Sequence, residues 1–125
     1  MNDLSRRRLE QGKQSLDEAQ ALLDAGMDTG FVLTNIYYAF YYPVLALLNR
    51  GEVPETMQSV TLGLFEQRYI KTGKIPQKYY DAVRRVFDIK PKCGGEKTPV
   101  SREELDSFMA TAREFSCMVG HLPGT

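Results

Sequence analysis

The chain has 125 residues, of which 42% are hydrophobic and 26% are charged, as in one globular domain rather than a disordered or collagen-like chain. Lysine plus arginine equals aspartate plus glutamate at 16 each, which argues against a protein that coats nucleic acid through bulk positive charge. The two cysteines, Cys93 and Cys117, are too few for a disulfide framework or a four-cysteine zinc site.

The first two helices are predicted from apolar spacing and from punctuation residues. Apolar side chains recur at helical spacing in the first 27 residues and predict an amphipathic helix over about residues 3–25. Gly26 follows where a left-handed residue would end that helix. Asp28 is placed to cap a second, strongly apolar helix, which is predicted to run to about Arg50.

The second helix has the length of a membrane span, because residues 31–48 carry no charged side chain. It nevertheless contains Asn35, Pro43 and four tyrosines, whose hydroxyls would lack partners at mid-membrane depth. We therefore interpret it as the buried central helix of a soluble protein with no membrane contact. Because the first residues also lack the apolar run of a secretory signal, we expect a cytoplasmic protein.

Two further helices are predicted before a loop. The third begins at Thr56 and is closed by Gly73. The fourth carries Pro76 in its first turn, where a missing N–H is tolerated. Lysine, glycine and proline then dominate residues 90–100, a composition typical of a loop.

The fifth helix is predicted from a capping box, in which Ser101 and Glu104 satisfy each other's backbone groups, and it ends near Gly120. Because no segment alternates polar and apolar residues like a strand, the predicted fold class is all-α. We expect a single domain over residues 1–125, with its core at about 4–119. Its architecture would be an antiparallel helical bundle of four long helices plus a shorter helix.

A stripe of phenols lies on the second helix, because two adjacent pairs of tyrosines are spaced one helical turn apart: Tyr37 and Tyr38, then Tyr41 and Tyr42. Such a stripe is either a seam between helices with satisfied hydroxyls or a groove where phenols stack on a base. Pro43 predicts a kink, which either lets the helix wrap the core or exposes a carbonyl near a groove.

Positive charge is concentrated between Glu66 and Arg102, where ten basic and four acidic side chains give a net charge of +6. A patch of this kind either attracts phosphate or keeps the surface solvated. The single histidine, His121, lies near the C-terminal end; one histidine and two distant cysteines cannot form a zinc cluster, and we expect no Ser-His-Asp or Cys-His arrangement unless His121 reaches back along the chain. We therefore predict no catalytic set, no metal and no cofactor, and expect binding rather than catalysis.

Four motifs in order resemble the HEPN family. Residues 35–48, NIYYAFYYPVLALL, resemble the second-helix signature of that family, and residues 51–54 resemble its G-x-x-P turn. Residues 65–73, FEQRYIKTG, are similar to its F…FVKTG stretch, and residues 85–89, RVFDI, resemble the helix that leads into its final motif.

The resemblance covers about residues 4–119 and implies an antiparallel helical bundle that pairs as a homodimer. Such prokaryotic modules are often encoded beside a minimal nucleotidyltransferase, as a toxin–antitoxin-like pair. Nuclease members carry an arginine followed four to six residues later by a histidine, and no histidine follows Arg84, Arg85 or Lys90 at that spacing. The chain therefore resembles the non-nuclease branch, although Gly94 and Gly95 replace the Asp-Tyr usual there.

We accordingly predict a non-catalytic module that binds a nucleotide or RNA phosphate and pairs with itself, or with a nucleotidyltransferase, through its apolar or tyrosine-bearing surface. One alternative is a metal-independent ribonuclease that uses Arg85 and a tyrosine in place of the Arg–His pair. Another is a pure interaction scaffold. The candidate ligand-binding residues are Tyr38 and Tyr42, for stacking or hydrogen bonds, and Arg84, Arg85 and Lys90, for phosphate.

Overall fold

The computed structural model describes residues 3–48, 58–90 and 100–122, of which 86% are helical and none lies in a strand. The all-α prediction is therefore confirmed for this part of the chain. It contains five α-helices and one π-helical turn: α1 Asp3–Asp24, α2 Thr29–Leu48, α3 Gln58–Phe65, the π turn Glu66–Ile70, α4 Gln77–Ile89 and α5 Arg102–His121.

The predicted junction between α1 and α2 is confirmed in its details. Gly26 adopts a φ of 73°, the left-handed conformation that favours glycine at the end of a helix. The Asp28 carboxylate accepts a hydrogen bond from the Gly30 N–H at 3.2 Å and so caps α2. The predicted end of α2 at Arg50 lies outside the described residues.

The third predicted helix differs from the observed one. Its predicted start, Thr56, lies outside the described residues, and α3 gives way to the π turn at Glu66. The Lys71 N–H there donates to the Glu66 carbonyl at 2.9 Å, one residue farther back than in an α-helix. Gly73, with a φ of 78°, then reverses the chain as predicted.

Both caps of the last two helices act near their predicted positions. Pro76 immediately precedes α4 as its cap rather than lying within the first turn, a shift of one residue from the prediction. The Ser101 hydroxyl accepts a hydrogen bond from the Glu104 N–H at 3.0 Å and begins α5. Of the predicted loop, residues 91–99 lie outside the described part of the chain.

The core is organised around α2, which contacts each of the other four helices. By length and apolar composition α2 is also the one helix among the described residues that could cross a membrane. However, 67% of its most apolar window is buried inside the protein, as we expected for a central helix.

Pro43 packs α2 tightly against α1. It has no N–H to donate to the carbonyl of Ala39, four residues earlier. A Cβ built on Gly12 of α1 would lie 3.0 Å from Pro43 Cδ and 3.4 Å from the Ala39 oxygen. The Ala39 carbonyl, to which Pro43 donates no hydrogen bond, therefore lies against the α1 backbone. The contact is so close that even a Cβ atom at position 12 would crowd it.

This contact predicts opposite effects for two glycine-to-alanine substitutions. Gly12→Ala should lower the free energy of unfolding by about 1 kcal/mol, because the added methyl overpacks the Pro43 ring by more than helix propensity gains. Gly63→Ala in α3, where an added Cβ meets nothing within 4 Å, should raise it by about 0.5–1 kcal/mol. Urea denaturation followed by circular dichroism measures both, and a Gly12→Ala variant as stable as Gly63→Ala would contradict the contact.

Candidate functional site

Five aromatic rings meet where α2 faces α4. We call this set the tyrosine cluster, and it comprises Tyr37, Tyr38, Tyr41 and Tyr42 of α2 and Phe87 of α4. Tyr37 stacks on Tyr41 with ring centroids 5.3 Å apart and contacts Phe87 at 5.5 Å. Tyr38 contacts Tyr42 at 5.7 Å. These distances lie in the range at which aromatic pairs stabilise each other.

The phenol stripe divides into a buried and an open half. Tyr37 is completely buried, and its hydroxyl donates to the Gln58 side-chain oxygen of α3 at 2.8 Å. Tyr41 is 3% exposed, whereas Tyr38 and Tyr42 are only half-buried. The stripe is therefore a helix–helix seam on one side and a surface accessible from solvent on the other.

Two cations lie beside this cluster, Arg84 of α4 and Lys90, which directly follows α4. Lys90 Nζ is 5.2 Å from the ring centroid of Tyr37 and 5.6 Å from that of Phe87. The Arg84 guanidinium carbon lies 5.3 Å from the Phe87 centroid, and Arg84 Nε lies 3.7 Å from Asp88 Oδ1. Phe87 therefore sits between the two cations, each within cation–π distance of its ring.

Arg85 faces a different part of the protein. Its Nε lies 3.6 Å from Glu104 Oε2 of α5, and its side chain is 56% exposed. Consecutive residues of an α-helix point about 100° apart, and here Arg84 lies against Phe87 whereas Arg85 pairs with α5. The structure thus gathers Tyr38, Tyr42, Arg84 and Lys90 around the cluster and places Arg85 on the side of α4 that meets α5.

Sequence reasoning missed the two residues that join this site. Tyr37 and Phe87 link the tyrosines of α2 to the two cations. A signal for Phe87 was present, because it lies three residues after Arg84 and three before Lys90, the spacing of neighbours on one helix face. Which helix that face contacts depends on tertiary packing and cannot be predicted from the local spacing of residues.

The arrangement suits recognition of an aromatic anion. Half-buried phenols offer faces and hydroxyls, and two cations can contact phosphate. Tyr80, one turn before Arg84 on α4, contacts Phe65 rather than the tyrosine cluster, and burial together with the nearby Glu66 carboxylate raises its pKa above the ordinary value. Across residues 3–48, 58–90 and 100–122, no group of three or more histidine, cysteine or acidic side chains could hold a metal ion.

Comparison with known proteins assigns the chain to a family. No family model matches it, and no solved structure matches it significantly. A protein of Thermotoga maritima named "UPF0332 protein" is 30% identical over 105 residues, which cover 82% of this chain and 78% of that protein. The chain belongs to the UPF0332 family. "Putative toxin MJ0142" of Methanocaldococcus jannaschii is 23% identical over 102 residues, or 81% of this UPF0332 chain and 69% of the archaeal protein.

The two halves of the tyrosine stripe should respond differently when a hydroxyl is removed from this UPF0332 protein. Tyr37→Phe should lower the free energy of unfolding by about 1–2 kcal/mol, because it leaves the buried Gln58 amide without its donor. Tyr38→Phe, on the half-buried side, should change it by less than about 0.5 kcal/mol. Thermal or urea unfolding measures both variants. Equal losses of unfolding free energy in Tyr37→Phe and Tyr38→Phe would show that the stripe is buried throughout.

Proposed function

We propose that this protein is a HEPN-like module of a toxin–antitoxin type system and that it binds a nucleotide or RNA phosphate at the tyrosine cluster. Two observations support the class: the four ordered motifs, and the similarity to an archaeal protein whose name designates a toxin. The observation that carries the binding activity is the position of Lys90 Nζ, 5.2 Å from the ring of Tyr37, which in turn contacts the ring of the half-buried Tyr38 at 5.3 Å.

The tyrosines supply the part of the site that recognises a base. Tyr38 and Tyr42 lie 5.7 Å apart with their ring planes tilted by 32°, and both are half-buried. Buried neighbours such as Tyr37 hold these rings in place, so little side-chain entropy is lost when a base stacks on them. Stacking of a base on an aromatic side chain contributes about 1–3 kcal/mol and accepts any base.

The cations supply the part of the site that recognises phosphate. Arg84 pairs with Asp88 at 3.7 Å, but both side chains are partly exposed, at 39% and 57%. Ion pairs of this kind contribute only about 0–1 kcal/mol, so a phosphate can replace the carboxylate at little cost. Charge-assisted hydrogen bonds from Arg84 and Lys90 to phosphate oxygens are stronger than neutral ones.

Binding without cleavage fits the position of the single histidine. His121 lies in the last turn of α5, where its Nδ1 is 2.7 Å from the Cys117 carbonyl oxygen and 3.8 Å from the Cys117 thiol sulfur, so the expectation that cysteine and histidine do not meet was wrong. Within the described residues, His121 takes part in none of the ring contacts or ion pairs of the tyrosine cluster. We therefore assign the cluster a binding role. We also propose that the protein acts in the cytoplasm.

The salt dependence of RNA binding tests the site. A fluorescein-labelled single-stranded RNA should bind in a fluorescence anisotropy titration, and Lys90→Ala or Arg84→Ala should each weaken binding by about three- to tenfold. Each substitution should also reduce the slope of log affinity against log salt by about 0.7, as expected for one lost phosphate contact on a single strand.

Arg85→Ala is the matched control, because it removes the same charge one residue away and from a different face of α4. It should leave the RNA affinity within about twofold of wild type. An equal loss in Arg85→Ala would contradict the site, since bulk charge would then explain binding, and an absence of binding would contradict the proposal. If the wild-type protein cleaves the RNA and Arg85→Ala does not, the ribonuclease alternative would be supported instead.

We further propose that the protein forms a homodimer or pairs with a minimal nucleotidyltransferase through apolar side chains beside the tyrosine cluster. Phe31 at the start of α2 is 59% exposed, and Met27 in the preceding turn is 46% exposed. A contiguous exposed apolar patch marks a site of protein association, and these two side chains lie four residues apart in the chain. They are also continuous with the half-buried face of α2 that carries Tyr38.

Sedimentation velocity tests this surface. Wild-type protein should sediment as a dimer, or as a complex when a nucleotidyltransferase encoded beside it is co-expressed. Phe31→Glu should shift the protein to a monomer, because it places a charge in the contact. Val60→Glu is the control, because Val60 is a similarly exposed apolar residue, at 56%, on α3. Monomeric wild type with no nucleotidyltransferase complex would contradict the pairing.

A further inference from the structure

A second concave surface lies on another side of the molecule, between α1 and α5. Gly120 is near Leu9 there, because a Cβ built on Gly120 would lie 3.9 Å from Leu9 Cδ1. Arg113 Nη2 lies 3.5 Å from Gln20 Oε1, so the two helices run antiparallel. Between them is a groove of about 520 Å³, which shares no residue with the tyrosine cluster.

The size of this groove fits a small molecule better than a protein partner. Its volume falls within the roughly 300–1,000 Å³ typical of small-molecule sites. Twelve residues line it, whereas a stable protein interface uses about 20–30 residues on each side. The lining residues of α1 run from Leu9 to Asp17, a length of about 12 Å at 1.5 Å per residue.

The floor of the groove is apolar. Leu9 and Leu16 of α1, Ala39 of α2 and Ala112 of α5 line it, and all four are buried side chains of the core. Two of them are alanines, so the floor stays open rather than being filled by its own side chains. A surface of this chemistry favours an alkyl chain, because burying apolar area is favourable in proportion to that area.

The rim of the groove is mainly basic. Lys13 of α1 and Arg113 and His121 of α5 line it, against a single acid, Asp17. Among the described residues, no carboxylate lies within 4.0 Å of the Lys13 or Arg113 cation. Arg113 instead donates a hydrogen bond to the neutral Gln20 side-chain amide. The rim therefore offers two cations to an anionic head group.

A buried serine hydroxyl is the third polar group of the groove that we consider, beside the two cations. Ser116 lines the groove between Arg113 and His121 on α5, is 8% exposed, and its Oγ has no hydrogen-bond partner among the described residues. A buried hydroxyl without a protein partner lowers the stability of a fold, so a ligand that accepts a hydrogen bond from Ser116 would gain affinity from it. Rotation about the single χ1 bond can turn Oγ toward the groove.

We propose that this groove binds a small amphipathic carboxylate, with its alkyl chain along the Leu9–Ala112 floor and its carboxylate at Lys13 and Arg113, where it accepts a hydrogen bond from Ser116. The proposal is independent of nucleotide binding at the tyrosine cluster, because the two sites share no side chain.

Isothermal titration calorimetry with decanoate, below the concentration at which it forms micelles, tests the proposal. The protein should bind one decanoate per chain, and Lys13→Glu and Arg113→Glu should each weaken binding about tenfold or more. Arg7→Glu is the matched control, because it makes the same charge change at an exposed residue of α1 outside the groove lining, and it should stay within about twofold of wild type. Decanol, which lacks the anionic head, should bind about tenfold more weakly than decanoate.

Ser116→Ala separates a ligand site from a merely structural groove. Removing the unpartnered hydroxyl should raise Tm in the absence of ligand and at the same time weaken decanoate binding, since the hydrogen bond to the carboxylate is lost. No saturable binding of decanoate would overturn the proposal. Equal affinity for decanol, or Lys13→Glu binding as tightly as Arg7→Glu, would overturn it as well.

Discussion

Burial of α2 on several sides at once is the constraint on which this structure depends. Thirteen of its 20 residues are buried, and the other four helices all contact it. Each large apolar side chain buried in this way contributes about 1.5–3 kcal/mol relative to leaving it in water. Because most of α2 is committed to the core, the side chains it can offer to a ligand are limited to the partly open positions around Tyr38 and Tyr42.

The same constraint divides the tyrosine stripe into a buried half and an open half. Tyr37 and Tyr41 face inward, where Tyr37 also satisfies the buried Gln58, and their neighbours one residue farther along are half-buried. The buried Tyr37 packs against the open Tyr38, and Arg84 of α4 and Lys90, which follows α4, both lie against Phe87 of the same cluster.

Local signals in the sequence were sufficient for several boundaries of the described helices. Gly26, Asp28, Gly73 and Ser101 act where they were predicted to act, because a left-handed glycine or a capping side chain depends on its immediate neighbours. The π turn was missed, because one extra residue in a helical turn leaves the composition unchanged. The sequence prediction grouped Arg84 with Arg85, and the structure gives them different neighbours, because which residue of α4 meets α2 is decided by how α4 packs.

The contact between Gly12 and Pro43 has a consequence for how this sequence can diverge. With a built Cβ only 3.0 Å from the proline ring, neither position can change in size without disturbing the other. The two sites, 31 residues apart in the chain, therefore constrain each other's substitutions as a single unit. A larger residue at position 12 costs less stability once the ring at position 43 is lost, so the packing of two helices links the substitutions that each of these positions tolerates.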